Sequence, residues 1–126
     1  MNREEFKAVL RIGRDLSRRS WELRAQGIEH SIYCGLCACG VCRTCPLDDG
    51  DMFCPPYTKW LQGGYTKELA RKVVVAINRP SIKRWVDEID EKTFREYVGR
   101  NKHSYKNVIK KLAEIEKELA EMEKQE

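Results

Sequence analysis

Six cysteines fall within twenty-one residues, at Cys34, Cys37, Cys39, Cys42, Cys45 and Cys54, and the rest of the 126-residue chain has none. Two of the spacings are C-x2-C units, Cys34-Gly35-Leu36-Cys37 and Cys42-Arg43-Thr44-Cys45. A turn brings the two sulfurs of such a unit close enough to share one ion, and two units complete a tetrahedral all-thiolate set. Zinc is the leading expectation, because soft sulfur ligands in a closed tetrahedral site suit a structural zinc. Cys34, Cys37, Cys42 and Cys45 are the simplest ligand set. Replacing Cys42 with Cys54 relieves the cramped loop between the two units, and His30, separated from Cys34 by three residues, is a further donor.

An iron–sulfur cluster is the main rival, since Cys39, Cys42 and Cys45-Pro46 give C-x2-C-x2-C-P with Cys54 as a fourth ligand. Bacterial ferredoxin runs place three residues before the last cysteine where this chain has two, so the fragment departs from that pattern. Two zinc ions sharing six thiolates, and three disulfides, also account for an even cysteine number. The string Cys34-x2-Cys37, Cys42-x2-Cys45-Pro46-Leu47 and Cys54-Pro55-Pro56-Tyr57 with Trp60 resembles a group of small cysteine-rich proteins of bacteria and their phages. The resemblance covers about thirty residues. It implies that Cys34, Cys37, Cys42, Cys45 and Cys54 are the patterned thiols and Cys39 an addition, and it implies no activity.

Other reactive residues are sparse. His30 and His103 are the two histidines, no carboxylate pair stands apart from surface charge, and no glycine-rich phosphate loop precedes a helix. The Asp48-Asp49-Gly50-Asp51 stretch reads as a turn. The expectation is a non-enzymatic protein.

Charge supplies the second chemical signal. The net charge of +4 conceals a polarised chain: residues 59–111 carry fourteen basic against six acidic groups, while 112–126 carry two against six. A basic body of this kind attracts phosphate backbones through counterion release. Two basic sets are candidates for that role. Arg3, Lys7, Arg11, Arg14 and Arg18 recur at steps of four and three, which aligns them along one stripe of a helix. Arg71, Lys72, Lys83 and Arg84 belong to the second set, interleaved with Trp85, Tyr97 and Tyr105. The competing reading of the first stripe is an ordinary solvated face balanced by Glu4, Asp15 and Glu22. Trp85 shares a stripe with Ile82 and Ile89, which favours burial over base stacking.

The elements that position these residues are mainly helical. Phe6, Val9, Leu10, Leu16 and Leu23 recur at helical spacing from Arg3 to about Ala25, with Gly13 and Ser20 on the same stripe. Gln26-Gly27 ends this amphipathic segment within residues 1–27. Residues 31–58 form the cysteine-rich loop, rich in Gly, Pro and Asp. Short helices follow over residues 66–100: one capped by Thr66, with a strand as the competing reading at Val73-Val74-Val75, one capped by Ser81, and one ending before Gly99. From Ser104 to the end, within 104–126, Tyr105, Val108, Leu112, Ile115, Leu119 and Met122 alternate steps of three and four, a coiled-coil-like seam. That seam has two uses: an antiparallel hairpin with the first helix, or a homodimer through the C-terminal helix.

The chain therefore reads as a single mainly α domain of four to five helices, with the metal-binding loop between the first and second. No membrane-spanning run and no apolar leader appear, so a cytoplasmic protein is expected. The leading function is a zinc-stabilised nucleic-acid-binding accessory or regulatory factor of phage or microbial type. Alternatives are a protein–protein adaptor using the C-terminal helix and an iron–sulfur redox or sensing module.

Overall fold

A computed structural model describes residues 2–28, 66–100 and 104–124. These residues form five helices and no strand: α1 (Arg3–Ala25), α2 (Lys67–Ile77), α3 (Pro80–Asp87), α4 (Glu91–Arg100) and α5 (Tyr105–Lys124). The mainly helical class agrees with the sequence reading. The cysteine-rich loop, including every predicted metal ligand, lies outside the described residues.

Both ends of α1 are closed by local chemistry. Asn2 accepts a hydrogen bond from the Glu5 amide at 2.8 Å, and the Glu5 carboxylate accepts one from the Asn2 amide at 2.9 Å, a reciprocal capping box. At the other end Gly27 takes a φ of 95°, the left-handed conformation that glycine adopts without a Cβ clash. The Gly27 and Ile28 amides then reach the Arg24 and Leu23 carbonyls, both at 3.0 Å, which closes a Schellman turn. Ile28 packs on the core cluster that contains Leu23, the apolar contact that usually accompanies such a turn.

The β-branched run Val73-Val74-Val75 is helical, which decides against a strand. Thr66 caps α2 through its hydroxyl, and Ala70, Val73 and Ile77 bury one helical face. Tertiary burial at spacings of three and four outweighs the modest helix penalty of three valines. The expected Ser81 cap on α3 is corrected: that helix begins at Pro80, with Arg79 as an N-cap that makes no side-chain bond. Proline lacks an amide hydrogen and has its φ already set, so it occupies the first helical position at no hydrogen-bonding cost. Gly99 lies within α4 instead of following it. Ser104 caps α5 as expected, accepting from the Asn107 amide at 3.2 Å.

α1 is the shared partner of the other helices. On one side Trp21 joins Ala70, Val73 and Ile77 of α2. Arg14 meets the C-terminal end of α2 while Gly27 lies against Lys67 at its start, so these two helices are antiparallel. On the other side Phe6, Val9, Leu10, Leu16 and Leu23 share a core with Val108, Leu112, Ile115 and Leu119 of α5 and with Val86 and Ile89. The expected seam on α5 is therefore buried within the chain. Its direction differs from the antiparallel hairpin: Arg19 reaches Glu116 and Glu123, while Arg11, Ile12, Asp15 and Leu16 share a groove with Ile109, Leu112, Ala113 and Glu116. Residue numbers rise together on the two helices, so α1 and α5 run parallel. This orientation follows from chain path, because α2 and α3 carry the chain back along α1 to its start, where Arg3 donates to the Ile89 carbonyl at 2.9 Å.

Between the two packed faces of α1 runs a row of small or buried polar residues, Gly13, Ser17, Ser20 and Arg24. Ser17 donates to the Gly13 carbonyl at 2.8 Å, which satisfies its hydroxyl inside the helix. Arg24 is 2% exposed, yet its guanidinium stacks 4.4 Å from the Trp21 ring centre and donates to the Ser20 hydroxyl at 2.8 Å. The buried charge is thus held by a π-face and a hydroxyl.

Candidate nucleic-acid interface

Arg3, Lys7, Arg11, Arg14 and Arg18 of α1 share a helical stripe, and in the fold each of them meets a carboxylate or a backbone carbonyl. Lys7 is 13% exposed and lies 3.8 Å from Glu4. Arg11 meets Asp87 of α3 at 3.3 Å. Arg14 donates to the Ile77 carbonyl at 3.2 Å, where the last turn of α2 has carbonyls with no helical partner. Arg18 is clamped between Asp15 at 2.7 Å and Glu22 at 3.0 Å. The hydrogen bond that Arg18 donates to Asp15 is the largest influence on its guanidinium and moves its pKa upward, with Glu22 adding in the same direction against the effect of burial. Arg3, the first member of the stripe, donates to Ile89 and lies 3.9 Å from Glu91.

Arg19, which falls outside that stripe, is the strongest cross-link. Its side chain is mostly buried and reaches Glu116 and Glu123 of α5 together. The bond to Glu123 contributes most to an upward pKa shift that keeps this guanidinium protonated. Glu116 and Glu123 are seven residues apart, so they project from the same side of α5 two turns apart. Sequence alone contains this signal as a 7-residue acidic spacing facing an arginine, but the pairing becomes readable only once the two helices are known to be parallel. Arg24 was likewise missed by the sequence reading. The available signal was the Trp21-x2-Arg24 spacing, which places a cation one turn from an indole.

The second basic set behaves differently. Arg71 and Lys72 on α2, and Lys83 and Arg84 on α3, are exposed and make no ion pair among the described residues. Lys67 and Arg79 are exposed in the same region. Residues 67–84 carry six basic groups against one acidic group, Glu68. The buried positions of α2, Ala70, Val73 and Ile77, face α1, and this forces Arg71, Lys72 and Val75 outward by helical geometry. On α3, Val86 enters the core and Trp85 is half-buried against it, so Trp85 is a packing residue. The structure therefore divides the eight predicted basic site residues into two groups. Lys7 and Arg18 pair with carboxylates of α1 itself and Arg11 and Arg14 reach α3 and α2, whereas Arg71, Lys72, Lys83 and Arg84 are exposed without an ion pair among the described residues.

The predicted ligands Cys34, Cys37, Cys42, Cys45 and Cys54 lie outside the described residues, as do Cys39, His30, His103 and Tyr57, Trp60 and Tyr65. Among the described residues, no group of three His, Cys, Asp or Glu side chains converges as a metal site. None of the described helices is long and apolar enough to cross a membrane. A groove of about 480 Å³ between α1 and α5 is lined by Ile12, Leu16, Ile109, Leu112 and Ala113, with Arg11, Asp15 and Glu116 completing its wall. Comparison of the chain with protein-family models, with curated proteins and with solved structures finds no match.

Proposed function

We propose that this is a non-enzymatic nucleic-acid-binding accessory or regulatory protein of phage or microbial type, stabilised by zinc in its cysteine-rich loop. The observation that supports it is that Arg71, Lys72, Lys83 and Arg84 are exposed and make no ion pair among the described residues, within a stretch that carries six cations and one anion. A surface cation already bonded to a carboxylate must break that bond before it meets a phosphate. Cations without such partners release counterions and bind at no such cost. The α1 stripe is accordingly removed from the proposed binding surface and the α2–α3 residues retained. Phosphate contacts of this type fix position on the backbone and carry no sequence information by themselves.

The zinc proposal rests on the paired C-x2-C spacing. Cys34, Cys37, Cys42, Cys45 and Cys54 are the candidate thiolates, and the bound ion would replace the apolar core that a loop of this composition lacks. Elemental analysis and a visible spectrum of protein purified without oxygen test it. About one colourless zinc per chain supports the proposal, whereas iron with a brown chromophore moves the reading to a redox or sensing module. Cys34→Ser with Cys45→Ser should abolish cooperative unfolding if the metal is structural.

A second reading, a protein–protein adaptor, has its own observation. Ile12 is 41% exposed beside the apolar groove between α1 and α5, the kind of surface that receives a partner helix. Titration with short DNA and RNA duplexes at increasing salt separates the two. Binding that weakens steeply with salt supports the nucleic-acid reading, and its absence at low salt leaves the adaptor reading.

A further inference from the structure

The outer face of α2 carries one feature that phosphate binding does not use. Val75 is 62% exposed, the more exposed of the two large apolar side chains that stand in solvent among the described residues. Helical spacing places it one turn from Arg71 and Lys72, and Arg79 follows four residues later. A valine in an exposed helical position loses rotamer freedom and buries nothing in return, where lysine, glutamine or alanine would favour the helix more. Its neighbours are cations, so a purely apolar partner surface would have to desolvate several charges to reach it. A ligand that fits this face presents anions around an apolar centre.

Resting on the nucleic-acid reading above, we infer that α2 enters the major groove of double-stranded DNA, with Val75 against a thymine methyl group and the flanking cations on phosphates. The dimensions agree. An α-helix with its side chains is about 10–12 Å across, and the B-form major groove is about 12 Å wide. Among the described residues α2 packs on α1 through Ala70, Val73 and Ile77, with Leu69 and Val74 beside them, and Arg71, Lys72, Val75 and Asn78 on the other face are exposed. In A-form RNA the major groove is deep and narrow, and side chains on a packed helix do not reach its floor. The C5 methyl of thymine is the apolar group that the DNA major groove displays, and valine supplies a matching surface. Lys83 and Arg84, on the helix that follows Pro80, then serve as backbone contacts outside the groove.

The test uses the full-length protein and three labelled twenty-base-pair probes of one A·T-rich sequence: DNA, the same DNA with uracil for thymine, and RNA. Fluorescence anisotropy at low salt reads each affinity for the wild type and for Val75→Ala. Val75 is exposed, so the variant retains the fold, which circular dichroism checks. The DNA duplex is expected to bind about tenfold more tightly than the RNA duplex. Removal of the thymine methyl groups is expected to weaken wild-type binding about fourfold and to leave Val75→Ala unchanged. Equal or tighter binding of RNA overturns groove entry by α2, and a uracil effect that is absent, or that persists in Val75→Ala, overturns the methyl contact. In both of those cases salt-dependent binding still supports the broader nucleic-acid reading. Absence of binding to all three probes at low salt removes both.

Discussion

The stripe on α1 and the cations on α2 and α3 are both built of Arg and Lys and differ in what their side chains meet. Along α1, Arg11 bonds Asp87, Arg14 bonds the end of α2, and Arg18 bonds Asp15 and Glu22. Along α2 and α3, Arg71, Lys72, Lys83 and Arg84 stand in solvent without ion-pair partners among the described residues. The difference comes from position in the fold. α1 packs on both sides, so Arg11 and Arg14 reach a carboxylate and a carbonyl of neighbouring helices, while Arg18 pairs with carboxylates of α1 itself. Among the described residues α2 packs on one side, and its outward Arg71, Lys72 and Val75 are exposed. A regular cationic stripe on a central helix thus reports packing, and irregular cations on a peripheral helix report an available surface.

The largest expected effect sharpens this contrast. Combining Arg71→Gln, Lys72→Gln, Lys83→Gln and Arg84→Gln should lower duplex affinity by about 100-fold or more and reduce the logarithmic salt slope by up to about 0.9 per contact removed. Thermal stability should stay within about 0.5 kcal/mol per site, because none of the four side chains is bonded within the described fold. Retained affinity would place the binding surface elsewhere.

Arg19→Gln should act in the opposite sense. It removes the link from α1 to Glu116 and Glu123, and should cost about 1–2 kcal/mol in chemical denaturation with duplex binding unchanged. A double-mutant cycle with Glu123→Gln should show coupling, and additive effects would remove the strut assignment. Arg14→Gln should cost about 1 kcal/mol, since it leaves the Ile77 carbonyl without its guanidinium donor. A loss of binding larger than the loss of stability would instead return Arg14 to the interface.

The smallest effect concerns acid. Asp90 accepts from the Thr93 amide at 2.7 Å, and this bond to the backbone is the main reason that its carboxyl is held below its ordinary range. A depressed carboxylate pKa contributes stability that is fully present above the unfolded-chain value, about 3.9, and is lost as pH falls through the folded value. Acid unfolding of Asp90→Asn should therefore show a shallower pH dependence below about 4 than the wild type. An unchanged profile would show that the cap at the start of α4 carries no weight.

Much of the helical order was legible in the chain, because it rests on local rules. Thr66 and Ser104 announce helix starts, Gly27 announces a stop, and the apolar spacing of Phe6, Val9, Leu10, Leu16 and Leu23 marks the buried face of α1. The start of α3 was misplaced by reading Ser81 as a cap when Pro80 already suited the first helical position. Relative direction was not legible at all: parallel and antiparallel pairings of α1 with α5 bury the same periodic residues, and only the chain path through α2 and α3 selects between them. The candidate interface was half legible for the same reason. Sequence spacing identifies which cations share a helix face, but whether Arg18 meets Asp15 and Glu22 or a phosphate depends on side-chain contacts that spacing does not order.

The contrast between the two basic regions is tested most directly by salt-titrated duplex binding of two variants side by side. One combines Arg11→Gln, Arg14→Gln and Arg18→Gln on α1, and the other carries the four substitutions on α2 and α3, both confirmed as folded by circular dichroism. The salt slope should match the wild type for the α1 variant and flatten for the α2–α3 variant. A flattened slope for the α1 variant with an unchanged slope for the other would contradict the division of the two surfaces and return the binding role to α1.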